Sequence, residues 1–318
     1  MTKRRHPFIA WRPQLVTITM LLWTLAVWPL AGQAPLSFHA AARLVVVHVA
    51  VRDRQGEPIT TLNRNAFTVF EDGKPQPITI FLRDDTPVSL GIVIDSSGSV
   101  RRRREAVEAA ALDFARASNP LDEIFILNFA DKAHVDVPFT SNVNALDAGI
   151  ARMDCIGGTA IRDAVHAAAT YLNAHASRDR KALLLITDGL DNASVTSADE
   201  ITKEVEATGI GIYAIGLPLD DQSKARHARG ELSDLTERTG GLARHLASME
   251  DIGPTALRVA REIRQLYTLA YTPRNQSSDG SYRRIRVVVS GAKGLSVHAR
   301  AGYYATISRP ARSPPSRP

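Results

Sequence analysis

The feature that most constrains this chain is an apolar run that ends on an acid and continues with alternating hydroxyl residues. Residues 88–94 are largely aliphatic, which is typical of a strand buried on both faces of a sheet. Asp95, Ser97 and Ser99 follow at every second position, and Gly98 permits a tight bend. Because residues two apart point the same way in an extended backbone, these oxygens converge beyond the strand's end. Oxygen donors without His or Cys suit Mg²⁺, Mn²⁺ or Ca²⁺ rather than zinc.

Taken alone, this pattern is equally compatible with a strand followed by a helix that Ser99 caps. Two later stretches favour a metal site. Thr159 follows a glycine pair at 157–158, and Asp188 ends a second aliphatic run over residues 183–187. The candidate ligands are therefore Asp95, Ser97, Ser99, Thr159 and Asp188.

In order and spacing these five residues resemble the metal-ion-dependent adhesion site of von Willebrand factor type A (VWA) domains, and the resemblance covers residues 87–267. It implies a six-stranded sheet with the site at its upper edge. It also implies that the two serines bind the cation directly, while the other three residues bind directly or through water. The expected ion is Mg²⁺, with Mn²⁺ or Ca²⁺ as alternatives.

Two carboxylates roughly neutralise a divalent cation, but the three hydroxyls are weak donors, so the ion retains waters and accepts a further acid. In the family that acid is a Glu or Asp of a partner protein. The resemblance therefore predicts a protein-binding module for adhesion or assembly.

Strand and helix patterns alternate between residues 87 and 267, which predicts a doubly wound, mostly parallel α/β sheet. In such sheets ligands lie beyond the carboxyl ends of the strands, where the strand order reverses. Helices are predicted over residues 102–117, 143–153, 160–176, 197–208, 232–239 and 255–265. Strands are predicted over residues 88–95, 123–129, 135–139, 181–187, 210–216 and 242–246.

The flanking segments, residues 41–86 and 268–307, are rich in strand patterns and too short to be stable separately. We expect them to pair as one small β-sandwich into which the α/β domain is inserted. Their strands are predicted over residues 44–51, 67–70, 78–82, 266–271, 284–289 and 295–304. The overall order, with the turn at 67–73, resembles a VWA-related family described from acidobacterial genomes, which names no ligand.

The two ends of the chain differ from its middle. Residues 1–34 have the basic start, apolar run and small residues of an export signal peptide. The run is short for a membrane span, so we expect cleavage and a periplasmic or secreted protein; an uncleaved anchor is the alternative. Residues 308–318 are rich in Ser, Pro and Arg, and we predict that they are disordered.

The charge balance argues against a nucleic-acid partner. The formal net charge is +6. Seven of the basic residues lie in the two ends, which carry no acid, so removing seven from +6 leaves the remainder near −1. The basic character therefore belongs to the ends and not to the folded part.

The sequence contains no Gly-x-Ser-x-Gly, His-Glu-x-x-His or Walker pattern, so we expect a protein that is not an enzyme. The alternatives are a structural envelope component with a non-essential metal site and a metal-dependent hydrolase. Cys155, the single cysteine, excludes an intrachain disulfide and is expected to be a small buried hydrophobe.

Several polar residues near the candidate ligands have two open interpretations. Residues 101–104 are four arginines, either a solvated helix start or an electropositive rim that attracts an acidic partner. Asp191 and Asn192 either orient the ligands or form a plain turn. Asp163 is expected on a helix surface, close to the positive end of the helix dipole.

Overall fold

The computed structural model describes residues 44–83, 85–150, 156–291 and 294–306. The predicted signal peptide, Cys155 and the predicted disordered tail lie outside the described residues. Within the described part, no helix combines the length and the hydropathy that crossing a bilayer requires.

In chain order, the strands are β1 (Val45–Arg52), β2 (Phe67–Glu71), β3 (Lys74–Gln76), β4 (Ile78–Leu82), β5 (Val88–Asp95), β6 (Glu123–Phe129), β7 (Ala133–Thr140), β8 (Arg180–Thr187), β9 (Gly211–Gly216), β10 (Ala243–His245), β11 (Tyr267–Tyr271), β12 (Tyr282–Val289), β13 (Ser296–Ala299) and β14 (Gly302–Tyr304). The α-helices are α1 (Arg104–Ala117), α2 (Val143–Ile150), α3 (Ile161–His175), α4 (Ala198–Thr208), α5 (Gln222–Thr239) and α6 (Ile252–Arg264).

The six middle strands form one sheet in the order β10-β9-β8-β5-β6-β7. All neighbours pair in parallel except β7, which pairs antiparallel with β6 at the edge. The chain passes from β5 to β6 on one side, whereas β8 lies on the other side of β5. The strand order therefore reverses between β5 and β8, which creates the crevice where ligands bind in such sheets.

Helices cover both faces of this sheet, because its central strands are aliphatic on both sides. Helices α1, α2 and α6 contribute to the core on one face, and α3, α4 and α5 to the core on the other. All eight residues of β5 are buried. The predicted doubly wound, mostly parallel α/β architecture is confirmed.

The flanking strands form two four-stranded sheets, in the orders β13-β1-β11-β4 and β14-β12-β2-β3. Each sheet contains strands from before and after the middle part, and the pairings β1–β11 and β2–β12 are antiparallel. Their inner faces share one apolar core that includes Val47, Val69, Leu269 and Ile285. The predicted β-sandwich of N- and C-terminal strands is therefore present.

A buried carboxylate links the two sheets of the sandwich. Glu71 on β2 accepts hydrogen bonds from the hydroxyls of Tyr271 on β11 and Tyr303 on β14, both at 2.8 Å. Burial and the neighbouring Glu71 raise the pKa of Tyr271, so its hydroxyl remains a donor. The hydrogen bond from Tyr271 to Glu71 thus gives the apolar interface between the sheets a polar contact of defined geometry.

Two predicted elements differ from the observed ones. The helix predicted over residues 232–239 is α5, which begins ten positions earlier because Asp221 accepts hydrogen bonds from the backbone N–H groups of Ser223 and Lys224. Its first half is polar and gives little helical periodicity. The strand predicted over residues 295–304 is two strands, β13 and β14, because the chain crosses there from one sheet of the sandwich to the other.

A buried ion cluster joins the sandwich to the central sheet. Arg52 on β1 donates to Glu262 on α6 at 3.1 Å, and Arg244 on β10 donates to the same carboxylate. Arg52 and Glu262 are both buried. Two cations therefore depend on one buried acid, and its loss leaves them without a counter-charge.

Replacing this acid tests whether the cluster fixes the sandwich to the central sheet. We expect Glu262→Gln to lower the free energy of unfolding by about 3 kcal/mol, since a buried Arg loses its counter-charge. The measurement is urea unfolding of the full chain. Glu57→Gln is the control, because Glu57 forms only an exposed pair with Arg258 at 3.7 Å and should cost less than about 1 kcal/mol. Equal effects of the two substitutions would contradict this role.

Candidate metal centre

The two predicted acidic ligands lie side by side at the carboxyl edge of the central sheet. Asp95 is the last residue of β5, and Asp188 directly follows β8. These strands are parallel neighbours in register, with Ile94 opposite Ile186. Both carboxylates are buried, with exposed fractions of 0% for Asp95 and 2% for Asp188. The sequence could not show that these strands are adjacent.

The two serines continue from Asp95 towards the surface. The backbone N–H of Ser97 donates to Asp95 Oδ1 at 2.9 Å, and the hydroxyls of Ser97 and Ser99 lie 2.9 Å apart. Ser97 is buried, whereas Ser99 is exposed. The structure therefore brings these three predicted residues together in a short polar path from the buried acid to solvent.

Thr187 is a further residue of the site that the sequence analysis missed. Its hydroxyl donates to Asp95 Oδ2 at 2.7 Å and accepts from the backbone N–H of Gly189 at 3.0 Å. It thereby connects the end of β5 to the loop after β8. A threonine at the end of an otherwise aliphatic strand was the pattern that could have indicated it.

Thr159 joins the group through its loop. Its backbone N–H donates to Asn192 Oδ1 at 2.8 Å, and its carbonyl accepts from the N–H of Asn192 at 3.0 Å. The N–H of Gly98 donates to the carbonyl of Gly157 at 3.2 Å. The loop before α3 is thus held between the loops that follow β5 and β8, and Thr159 is buried there.

The loop depends on a residue that the sequence analysis also overlooked. Asp131, after β6, accepts from the backbone N–H of Gly158 at 2.7 Å. Gly157 has a φ of +100°, and a Cβ there would collide with the Asp131 carboxylate. A glycine is therefore required for the loop to pass this close to the acid.

Two further acids near the site, Asp191 and Asp163, support the same loops. Asp191 accepts from the backbone N–H of Arg162 at 2.9 Å and from the Ser194 hydroxyl at 2.7 Å. Asp163 accepts from the backbone N–H groups of Val195 and Thr196, and its pKa is lowered by these hydrogen bonds against the opposing effect of burial. Asp163 is therefore part of a loop contact and not a free helix-surface charge.

The site lacks a counter-charge for its two acids. Neither Asp95 nor Asp188 forms an ion pair with a basic side chain of the described residues. Burial, supplemented by the charge of Asp188, raises the pKa of Asp95 to about 6, although hydrogen bonds from Ser97 and Thr187 lower it. Asp188 Oδ2 is buried and has no hydrogen-bond partner within the described part of the chain. Such an orphaned carboxylate oxygen is costly unless a ligand satisfies it.

The donors present fit a hard cation. Among the described residues there is no group of three or more His, Cys, Asp or Glu side chains that could hold a metal ion. An ion here must therefore take hydroxyl oxygens or waters in addition to the two carboxylates. This chemistry matches Mg²⁺, Mn²⁺ or Ca²⁺ and does not match a thiolate or imidazole site.

The sequence of the same region matches a known family. Residues 90–190 match the von Willebrand factor type A domain. The chain contains a VWA domain. The matched stretch runs from β5 through the loop after β8 and includes all five predicted site residues. A search of curated proteins gives no match.

Solved structures show the same fold. A von Willebrand factor type A protein from Catenulispora acidiphila is 13% identical, with a TM-score of 0.50 over 84% of this chain and 75% of that one. Proximal thread matrix protein 1 from the mussel byssus, solved with a zinc-occupied MIDAS motif, is 18% identical, with a TM-score of 0.50 over 61% of this chain and 50% of that one. At these identities the likeness concerns the fold alone.

A neutral substitution of Asp95 tests the electrostatics of this VWA site. We expect Asp95→Asn to be no less stable than the unsubstituted protein in EDTA at pH 7, because the raised pKa of Asp95 means that its charge is disfavoured there. In Mg²⁺ the order should reverse, because only the unsubstituted protein gains stability from the ion. The measurement is chemical unfolding with and without metal. If Asp95→Asn lowered the free energy of unfolding by several kcal/mol in EDTA, where no metal is bound, the electrostatic explanation would be contradicted.

Proposed function

We propose that this VWA domain holds a divalent cation, in the first place Mg²⁺, and uses it to bind an acidic side chain of a partner protein. The cation would be held by Asp95, Ser97, Ser99, Thr159 and Asp188. The observation that carries the proposal is the buried pair of acids, in which Asp188 Oδ2 lacks a hydrogen-bond partner among the described residues while hydroxyls lead to the surface. VWA domains commonly mediate protein–protein adhesion and metal-dependent binding.

The charge count supports a role in binding an outside acid. Two carboxylates balance the charge of a divalent ion, but a hard cation takes six or more oxygen ligands. Ser99 is exposed, so the remaining positions on its side of the ion would face solvent. An incoming carboxylate can replace water there and form a charge-assisted contact.

The surroundings of the site suit an acidic partner with apolar neighbours. Arg101 and Arg102 are exposed in the 3₁₀ turn that follows the Ser99 loop. Ile156 and Val195, on the loops flanking Thr159, have exposed fractions of 68% and 93%. Positive charge draws an acidic partner to the surface, while exposed apolar side chains add contact area once it is bound.

The remaining assignments complete the proposal. The VWA domain would comprise residues 87–267, inserted in a sandwich of residues 41–86 and 268–307. A signal peptide at residues 1–34 would place the protein in the periplasm or outside the cell. An uncleaved segment there would instead anchor it to the membrane.

Calorimetric titration with Mg²⁺ tests the metal site directly. We expect the full chain to bind the ion, and Asp188→Asn to abolish binding because half of the site's anionic charge is removed. Ser99→Ala removes an exposed hydroxyl and should weaken binding at least about tenfold without affecting folding. Asp199→Asn, an exposed acid in the first turn of α4, is the control and should bind normally. Unchanged titration of Asp188→Asn would exclude the proposed site.

A chelation experiment tests partner binding. The immobilised chain is exposed to envelope proteins in Mg²⁺, and the retained proteins are compared with those retained in EDTA. We expect a partner that EDTA releases, that Mg²⁺ restores, and that Ser99→Ala fails to retain. A partner held equally well in EDTA would favour the alternative of a structural component whose metal site is not needed.

A further inference from the structure

The most informative feature outside the metal site is a cavity at the opposite edge of the central sheet. It has a volume of about 530 Å³ and lies between the outer face of the sandwich strands β1, β4 and β11 and the first residues of β8 and β9. Its size is that of a small-molecule site. Because β8 carries Arg180 at one end and leads to Asp188 at the other, the cavity and the metal site are separate.

The inner wall of the cavity contains a buried cation with unused donors. Arg180, the first residue of β8, is 4% exposed, and its Nη1 and Nη2 atoms have no hydrogen-bond partner among the described residues. It forms no ion pair within that part of the chain either. A buried guanidinium without partners is costly, and a carboxylate fits its two parallel N–H groups.

Burial lowers the pKa of Arg180, and the charges of Asp122 and Asp85 act against this without either acid coming within ion-pair distance of the guanidinium. His48 lies on the same wall and donates to or accepts from the Thr268 hydroxyl at 3.1 Å. Burial and the charges of Arg180 and Arg300 lower the pKa of His48 to about 3, so the ring is neutral. Tyr213, also in the wall, has its pKa raised by burial to about 12 and remains a neutral hydroxyl.

The outer part of the cavity is apolar. It is lined by four aliphatic side chains of the sandwich, each roughly two-fifths exposed, on β1, on β4 and just before β1: Leu44, Val46, Ile80 and Leu82. These residues lie on the face of the sheet that points away from the sandwich core, where an alternating strand normally carries polar residues. The cavity thus has a cationic inner end and an apolar outlet.

We propose that this cavity binds a long-chain carboxylate, with its head group on the Arg180 guanidinium and its alkyl chain over the four aliphatic residues. The terminal segments outside the described part cannot supply this acid from a side chain, because residues 1–43 and 307–318 contain no Asp or Glu. An amphiphile satisfies both ends of the cavity at once, whereas a simple anion satisfies only one.

Calorimetric titration of the full chain with decanoate, octanoate, decanol and acetate tests the proposal. We expect decanoate to bind, octanoate to bind more weakly by roughly fourfold per lost buried methylene, and decanol to bind at least about tenfold more weakly because it lacks the charge. Acetate should show no binding. Decanol binding as tightly as decanoate, or acetate binding as tightly, would overturn the proposal.

Substitutions separate this cavity from unspecific binding. Arg180→Met should weaken decanoate at least about tenfold while leaving decanol unchanged. Val46→Asp, at the exposed outlet, should abolish decanoate binding in a folded protein. Val288→Asp is its matched control, since Val288 is an equally exposed strand valine of the other sheet. Equal loss of decanoate binding in both valine variants would overturn the proposal. It would also be overturned if the unsubstituted chain bound no decanoate and instead dimerised with rising concentration, and Val46→Asp abolished that dimerisation.

Discussion

The structure is organised around two like charges that are buried side by side. Parallel pairing of β5 with β8 brings Asp95 and Asp188 to one edge of the central sheet, where neither forms an ion pair with a basic side chain of the described residues. Burial disfavours the charged form of Asp95 there, and the neighbouring charge of Asp188 adds to this effect. The loops around them supply hydroxyls and backbone donors, and these reduce the cost without removing it. A bound cation would remove the remaining cost, so the same two carboxylates account for both the electrostatic cost and the proposed function.

The sandwich is the second constraint on this architecture. Neither flanking segment could bury its apolar face without the other, and each sheet accordingly combines strands from both. The two ends of the α/β part of the chain are thereby held together. Two buried carboxylates give this arrangement a defined geometry: Glu71 joins the two sheets through Tyr271, and Glu262 joins the sandwich to the central sheet through two arginines.

Much of the fold was predictable because its patterns are local. The aliphatic runs that became β5 and β8 have the composition of strands buried on both faces, and residues 123–129 and 78–82 became strands with the predicted bounds. The first half of α5 could not be predicted because its polar residues show little periodicity and its start depends on Asp221. The break between β13 and β14 depends on which sheet each half joins, a property of the tertiary structure.

The same distinction applies to the site. Its five predicted residues follow a spacing that the sequence displays, and the structure places Asp95, Ser97 and Ser99 in one hydrogen-bonded group. The roles of Thr187 and Asp131 could not be predicted from the sequence because their contacts form only in the folded chain. Thr187 acts across two paired strands, and Asp131 acts on a loop 27 residues further along the chain.

The most direct test of the central claim is an anomalous difference map from crystals of the full chain grown with Mn²⁺. We expect one strong peak within coordination distance of the Ser97 and Ser99 hydroxyls and beside Asp188 Oδ2. Well-ordered loops around Asp95 and Asp188 with no manganese between them, or manganese bound only elsewhere on the protein, would contradict the proposed metal site.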